Sequence, residues 1–262
     1  MSARGSLQFK QISKSYAVDQ AEFKVLDRVS FDVAPGEFVS IVGPSGCGKS
    51  TLLRLAIGLD DDYGGDILLD GERIVGTSLK RGIVFQDHRL LPWLTLEQNI
   101  GLSLENAGLP AAERNKRVHD HIKLVGLQGF ESSYPHQLSG GMAQRAAIAR
   151  GLAGRPEILL LDEPLGALDA LTRERLQEEI LHIWRSERVT MVLVTHDVDE
   201  AIYLSDKIVV MHAKPGRIAA EIQITLPLPR DRTSADFASV KRQVMDAMHH
   251  RADSGQALRE AA

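Results

Sequence analysis

Apolar and polar residues alternate with different periods along the chain. Residues 7–16 and 23–33 alternate partly with a period of two, which predicts half-buried strands. Nearly continuous apolar runs predict strands that are buried on both faces, at 38–42, 83–85, 157–162, 190–195 and 207–211. Helical spacing lies between the later runs, as in Leu176, Ile180, Ile183 and Trp184. Strands that alternate with helices predict an α/β domain with a largely parallel sheet.

Residues 88–153 interrupt this alternation. They contain no clear strand pattern, and residues 110–126 have the spacing of an amphipathic helix that begins at a proline. We therefore predict a helical subdomain at about 88–153, inserted into a domain that covers residues 1–225. Residues 226–262 are predicted to be a short C-terminal extension, with an extended TLPLPRDR segment, a surface helix near 234–250 and a loose terminus.

Composition and charge narrow the class of protein. The chain has 262 residues, a formal net charge of −4 and a single cysteine, Cys47. This charge gives no electrostatic reason to expect nucleic acid as a partner, and one cysteine allows no internal disulfide. The apolar runs are too short to span a bilayer, and the first ten residues contain no apolar core of signal-peptide length. Together these observations predict a cytoplasmic protein.

A glycine-rich segment after the run at 38–42 carries the clearest chemical motif. Residues 43–50 read GPSGCGKS, match G-x-x-x-x-G-K-[ST], and precede a predicted helix that ends at Gly58. Backbone N–H groups of such a loop, together with a helix N-terminus, bind phosphate oxygens. Lys49 is expected at the β- and γ-phosphates and Ser50 on Mg²⁺, while Cys47 is better explained as a small loop residue than as a nucleophile. The predicted ATP-binding residues are Gly43, Pro44, Ser45, Gly46, Cys47, Gly48, Lys49, Ser50 and Thr51.

Polar residues end three of the later buried strands. Asp162 and Glu163 follow one strand, where open α/β sheets place ligands, so Asp162 is a candidate Mg²⁺ ligand and Glu163 a candidate base for an attacking water. His196 is a candidate γ-phosphate contact, and Gln86 a candidate contact of Mg²⁺ or of the water. The alternatives are two solvated acids at a strand end, a structural histidine and an ordinary loop glutamine.

Six motifs in order across residues 7–212 resemble the ATP-binding cassette (ABC) ATPases. GPSGCGKST is similar to the Walker A motif, VFQD to the Q-loop, LSGGM at 138–142 to the signature motif, ILLLDEP to Walker B, LGALD to the D-loop and VTHD to the switch histidine. The resemblance implies a P-loop NTPase fold of α/β class. Its mainly parallel sheet core is accompanied by an N-terminal antiparallel β subdomain and an inserted α-helical subdomain.

The resemblance also implies how ATP is bound. Two copies of the chain are expected to face each other head to tail, so that Ser139, Gly140 and Gly141 of one copy contact the ATP held by the phosphate loop of the other. Tyr16 is the best-placed residue to stack on adenine, although it is also explained as an aromatic packed at a strand end. Met142 departs from the family, because many members have glutamine at this position.

The implied function is that of the ATP-hydrolysing subunit of a bacterial-type importer. HRLLPW and the PLPRDR tail are similar to the nitrate, sulfonate and taurine branch. The expected partners are integral membrane permease subunits, a second copy of the chain and, indirectly, a periplasmic or extracellular substrate-binding protein. The expected location is peripheral, on the cytoplasmic face of the inner membrane.

Two questions stay open from the sequence. Residues 87–94, DHRLLPWL, are explained equally well as a groove for a cytoplasmic helix of the permease and as core packing. A non-transport ABC ATPase that acts on nucleic acid or ribosomes is the alternative function, and a P-loop phosphotransferase is a third. Neither a coiled-coil insertion nor a basic stripe supports the alternative, and a phosphotransferase would not need LSGGM.

Overall fold

The computed structural model describes residues 4–18 and 21–249. Of these, the residues up to Gly76 and from Val192 onward make one unit, and Thr77–Met191 make another. The predicted loose terminus and the last residue of the predicted surface helix lie outside the described residues. No helix within the described ranges has the length and apolar content needed to cross a membrane.

A four-stranded antiparallel sheet in the first unit consists of β1 (Leu7–Val18), β2 (Ala21–Val33), β4 (Gly64–Leu69) and β5 (Glu72–Arg73). Its strand order is β2-β1-β4-β5. The side chains of Phe9 and Phe31 stack across β1 and β2, with ring centroids 4.4 Å apart. Asp70 and Gly71 both have positive φ and form the turn between β4 and β5, as the Asp-Gly pair predicts. The period-two pattern therefore predicted β1 and β2 of this sheet correctly.

Four more strands lie side by side, namely β3 (Phe38–Val42), β8 (Thr190–Thr195), β9 (Lys207–His212) and β10 (Arg217–Gln223). Their order is β10-β9-β3-β8. β3 pairs in parallel with β9, and β10 pairs antiparallel with β9. Every residue of β3 and β8 is buried, which is the physical reason for their continuous apolar sequences.

Three helices belong to the first unit. α1 (Lys49–Ile57) ends at Gly58, whose left-handed conformation confirms the predicted stop. α6 (Val198–Leu204) begins after Asp197, whose side chain accepts hydrogen bonds from the backbone N–H groups of Asp199 and Glu200. α7 (Ala235–His249) confirms the predicted helix of the extension and buries Phe237 and Val244.

The second unit combines two parallel strands with helices. β6 (Arg81–Val84) pairs with β7 (Ile158–Asp162), and between them residues 88–153 contain only helices and loops, as predicted. The helices are α2 (Leu96–Gly101), α3 (Ala111–Leu124), α4 (Gly140–Ala153) and α5 (Ala170–Glu187), with short 3-10 helices at Leu102–Leu104 and Pro135–Gln137. α5 buries Leu176, Ile180 and Ile183, whereas Trp184 is half-buried.

One strand was not predicted. β10 lies at the edge of its sheet and therefore buries only Ile222 among its seven residues. Its sequence, RIAAEIQ, therefore carries too weak an apolar pattern to be recognised before β9 is known to lie beside it.

Candidate functional site

The phosphate loop joins the buried strand β3 to α1. Gly46 and Gly48 have φ values of 78° and 96°, a conformation that side-chain-bearing residues rarely adopt. Pro44, Ser45 and Gly46 are exposed, whereas Gly43 and Cys47 are buried. The loop therefore presents its backbone outward at the start of a helix, which is the arrangement that binds phosphate.

Lys49 crosses back over this loop. Its Nζ donates to the carbonyl oxygens of Gly43 at 2.8 Å and of Pro44 at 3.3 Å, and the side chain is only 6% exposed. These carbonyl contacts hold the ammonium at the rim of the loop, where a phosphate oxygen is a stronger acceptor than a carbonyl. Burial raises the pKa of the Cys47 thiol, so at neutral pH it is protonated and fits the interpretation as a small loop residue.

Tyr16 lies near the end of β1 with its ring 37% exposed. The ammonium of Lys14 is 4.9 Å from the ring centroid, and the Tyr16 hydroxyl donates to Asp60 at 3.5 Å. Although burial disfavours a charged amine, hydrogen bonds to Asp60 and Asp62 raise the pKa of Lys14. The ring therefore lies next to a charged amine, and the residue is partly exposed to solvent.

His196 follows β8 and its side chain is exposed. The residues on both sides of it are tied down, because Thr195 Oγ1 donates to Glu200 Oε2 at 2.6 Å and accepts from the Asp197 N–H at 3.0 Å. The Glu200 side chain, on the first turn of α6, thus bonds to the residue before the histidine. The turn that carries His196 is rigid even though its imidazole faces solvent.

The second unit places Gln86, Asp162 and Glu163 at the ends of its two strands. A Cβ added to Gly166 would lie 3.4 Å from Gln86 Nε2 and 3.9 Å from Glu163 Oε2, so these two side chains flank the same glycine. Glu163 has φ of 45°, a strained conformation for a residue with a side chain, and such strain concentrates at functional sites. A cleft of about 600 Å³ is lined by Gln86, Asp162 and Gly140 among others.

The LSGGM segment forms the start of α4. Ser139 is the N-cap and accepts a hydrogen bond from the Met142 N–H at 3.3 Å, and Ser139 and Gly140 are both exposed. A Cβ on Gly141 would lie 2.7 Å from Thr172 Cγ2, so a side chain at this position would have to displace that methyl group. Ala146, Ala149 and Ala153 are buried on the inward side of this helix, whereas Met142 is only half-buried.

Two side chains of α4 hold the segment that follows β6. Gln144 Nε2 donates to the Phe85 carbonyl at 3.2 Å, and the Arg150 guanidinium donates to the carbonyls of His88 and Arg89 at 2.7 and 2.8 Å. Neither residue was predicted from the sequence, because a polar residue on a helix gives no sign of the backbone that it will contact. They attach the Gln86 segment directly to the helix that begins at Ser139.

Asn99 makes the second group of contacts that was missed. It is fully buried, and its amide accepts from the Leu91 N–H at 2.7 Å and donates to the carbonyls of Leu91, Leu94 and Thr95. These bonds fix the loop that contains Trp93, whose side chain is 68% exposed. Leu90 is buried instead, so the DHRLLPWL segment contributes both to packing and to an exposed aromatic surface.

Two of the predicted metal ligands, Ser50 and Asp162, carry oxygen atoms of the kind that bind Mg²⁺. Ser50 lies in the first turn of α1 and Asp162 ends β7, and both supply the hard oxygen ligands that Mg²⁺ prefers. Among the described residues there is no group of three or more His, Cys, Asp or Glu that could hold a metal by itself.

Gly216 lies against the phosphate loop, and we expect Gly216→Ala to weaken both folding and ATP binding. The new Cβ would lie 2.1 Å from the Cys47 carbonyl oxygen and 2.9 Å from that of Val25, so the loop must move. Overpacking of this kind costs about 1–3 kcal/mol. Thermal unfolding and ATP titration measure the two effects. Gly64→Ala is the control, because its Cβ would meet nothing closer than 3.8 Å, and equal behaviour of the two variants would contradict the prediction.

Several known proteins are similar to this chain over most of its length. The chain is 48% identical over 245 residues to an aliphatic sulfonates import ATP-binding protein of Bacillus anthracis, covering 94% of this chain and 96% of the relative. A dimeric ATP-binding cassette solved in a post-hydrolysis state with ADP and Pi superposes with a TM-score of 0.73 at 33% identity, covering 83% of this chain and 98% of the other. The cbiO1 protein of Clostridium perfringens, part of the ABC transporter complex cbiONQ, superposes with a TM-score of 0.78 at 25% identity, covering 98% and 99%.

The ABC transporter family model matches residues 26–166, which include the phosphate loop, the LSGGM turn and Glu163. The match extends over more than half of the chain, and the curated relative covers nearly all of it. These findings confirm the predicted P-loop NTPase fold and the prediction of an ATPase. The chain belongs to the ABC transporter family of ATP-binding proteins.

Proposed function

We propose that this chain is the ATP-hydrolysing subunit of an importer for small sulfonate-like anions, with nitrate and taurine as related candidates. The observation that supports the import function is the 48% identity, over almost the full length of both chains, to a protein named for aliphatic sulfonate import. ATP hydrolysis needs the elements that the chain contains, namely a phosphate loop, an acidic strand end and the LSGGM helix. The domain that performs it covers residues 1–225 with its helical subdomain at about 88–153, and residues 226–262 extend it.

ATP is held by its phosphates and its base. The loop from Gly43 to Thr51 donates backbone N–H groups to the phosphate oxygens, Lys49 neutralises the β- and γ-phosphates, and Tyr16 stacks on adenine. Ser50, Asp162 and Gln86 are the ligands for Mg²⁺, which when bound polarises the phosphates as a Lewis acid. Lys49 exchanges its carbonyl acceptors for phosphate, so no buried charge is left without an acceptor.

Hydrolysis requires one water molecule to lose a proton as it attacks the γ-phosphate. Glu163 accepts that proton and orients the water. His196 contacts the γ-phosphate, and the side-chain amide of Gln86 also helps to orient the water. A rigid turn around His196 and a strained Glu163 backbone hold these groups without reorganisation. Preorganised groups of this kind stabilise the transition state more than the bound substrate.

A second copy of the chain completes the ATP site. Ser139 and Gly140 are exposed at the start of α4, so a nucleotide on another molecule can reach them, as a head-to-tail homodimer requires. The solved relative that binds ADP and Pi is described as dimeric, which supports this assembly. Closure of the dimer excludes water other than the attacking one.

The remaining partners are membrane proteins and a binding protein. ATP hydrolysis drives transport through the permease subunits, and a periplasmic or extracellular substrate-binding protein delivers the anion to them. The chain is then peripheral, on the cytoplasmic face of the inner membrane. Co-purification with the permease and uptake of a labelled sulfonate by proteoliposomes that contain the whole complex test this function, and ATP hydrolysis without any coupled uptake would contradict it.

Trp93→Ala is expected to uncouple transport from ATP hydrolysis. The indole is exposed on a loop that Asn99 fixes, so it is suited to contact a permease helix, and its removal leaves the core packing unchanged. Loss of an aromatic anchor at an interface costs about 2 kcal/mol or more, which predicts a loss of uptake of more than about tenfold. Uptake and ATPase rates are measured together in proteoliposomes.

Two variants complete this experiment. Phe130→Ala removes another exposed aromatic side chain and should leave uptake unchanged, whereas Leu90→Ala should lower the melting temperature because Leu90 is buried. A Trp93→Ala complex that transports normally would show that this loop serves only packing.

A further inference from the structure

We propose that Arg230, in the C-terminal extension, is a positioning residue that fixes His196 by holding α6. The inference rests on the proposed function, because it takes His196 as a contact of the γ-phosphate. It assigns a role to a segment, PLPRDR, whose chemistry is otherwise unexplained, and all the residues involved belong to the first unit.

The guanidinium of Arg230 is buried against the end of α6. The residue is 6% exposed, and its Nη1 donates to the carbonyl oxygens of Ile202 at 2.8 Å and of Tyr203 at 3.0 Å, while Nε donates to Leu226 at 3.4 Å. The last carbonyls of a helix have no partner within it, and a cation there is favoured by the helix dipole. One side chain therefore satisfies two orphan acceptors and fixes the C-terminal end of α6.

The other end of α6 is continuous with the histidine turn. Asp197 Oδ1 accepts from the N–H groups of Asp199 and Glu200 at 2.9 and 3.1 Å, and Glu200 accepts from Thr195 at 2.6 Å. The residues before and after His196 are thus bonded to the first turn of α6. A seven-residue helix is not stable in isolation, so its position depends on what holds its two ends.

The end of α6 is also attached to the strand that leads into the phosphate loop. Ser205, the C-cap, makes a buried hydroxyl contact with Ser40 in β3. Two more residues of the extension contact α6. Arg232 lies 4.1 Å from the Tyr203 ring centroid, and Lys241 forms a salt bridge of 2.7 Å with Asp199. Arg230 is the buried member of this set, so we expect it to control how α6 sits between β3 and His196.

Arg230→Ala tests this role in the full chain. We expect kcat for ATP hydrolysis to fall about 10- to 100-fold, as a small displacement of a group at the reacting phosphate would cause, while ATP binding stays within about twofold. Arg230→Lys keeps a donor and the charge, so it should restore part of kcat. Arg242→Ala is the matched control, because this arginine is exposed on α7 of the same extension and should have no effect.

A double variant separates positioning from general stability. If Arg230 acts through His196, Arg230→Ala should reduce kcat no further in a His196→Ala background, and the ring NMR signals of His196 should shift in Arg230→Ala alone. Wild-type kcat in Arg230→Ala, or an additional fall in the double variant, would overturn the proposal. So would a parallel loss of ATP binding and kcat. If Arg230→Ala does not fold, Arg230→Lys must show a smaller kcat loss with intact binding, and its normal activity would overturn the proposal.

The same variants distinguish this inference from the function on which it rests. His196→Ala that hydrolyses ATP normally removes the proposed role of His196 and with it the role of Arg230. If His196→Ala is inactive but Arg230→Ala is fully active, the proposed function stands and only the role of the extension is overturned.

Discussion

Glu163→Gln is expected to slow ATP hydrolysis by about 10²–10⁴-fold, the contribution of a general base, which corresponds to roughly 3–5 kcal/mol in the barrier. The amide has the shape of the carboxylate but cannot accept a proton from water. ATP should still bind with nearly unchanged affinity, because Lys49 and the phosphate loop are intact. Since the nucleotide is then bound but not consumed, dimers should accumulate with Mg²⁺ and ATP. Phosphate release, ATP titration and size-exclusion chromatography measure the three effects.

The Glu163→Gln substitution should not change the folding of the chain. The φ of 45° at Glu163 is a strain that glutamine bears equally, so the variant should fold like the wild type. Glu178→Gln is the control, because Glu178 is exposed on α5 and should be neutral. Normal turnover by Glu163→Gln would show that another group activates the water.

Ser139→Arg is expected to reduce hydrolysis by at least about 100-fold, the cost of losing a hydrogen-bond donor to a developing oxyanion. ATP binding to the single chain should be nearly unchanged, because we propose that Ser139 serves the ATP site of the other copy. Ser139 is exposed, so the larger side chain finds space in the monomer and is harmful only at the dimer interface. The lost N-cap costs only about 1 kcal/mol of stability. Ser132→Arg, at another exposed serine, is the control for a new surface charge.

Mixing two inactive variants tests the shared site directly. Lys49→Ala lacks the phosphate-neutralising ammonium, and Ser139→Arg lacks a usable LSGGM turn. In a head-to-tail heterodimer the intact phosphate loop of one chain meets the intact turn of the other, so activity should reappear. If each chain built its ATP site alone, the mixture would stay inactive, and that result would refute the shared site.

Local patterns predicted most elements, because each of them is buried in the way that its own sequence requires. β3 and β8 are buried on all sides and are continuously apolar, and β1 and β2 alternate because they are half-buried. The phosphate loop was found for a similar reason, since Gly46 and Gly48 adopt conformations that exclude most other residues. Where the local conformation itself demands a residue type, the sequence reveals it.

Contacts between distant segments were not predicted in the same way. Asn99, Arg150 and Arg230 each donate to backbone carbonyls, and a carbonyl is present at every position of the chain, so nothing in the sequence marks the acceptor. β10 was missed because an edge strand that buries one residue has almost no apolar pattern of its own. Each of these elements is defined by a neighbour and not by its own composition.

The sequence by itself predicted most of the strands and helices, the phosphate loop and the candidate roles of Lys49, Glu163 and His196, because these predictions depend on local burial and on motif spacing. Only the tertiary structure decided that Trp93 is exposed while Leu90 is buried, that Ser139 lies at an accessible surface, and that the extension holds α6 through Arg230. Exposure and long-range hydrogen bonds depend on which segments meet in space, and that information exists only once the chain has folded.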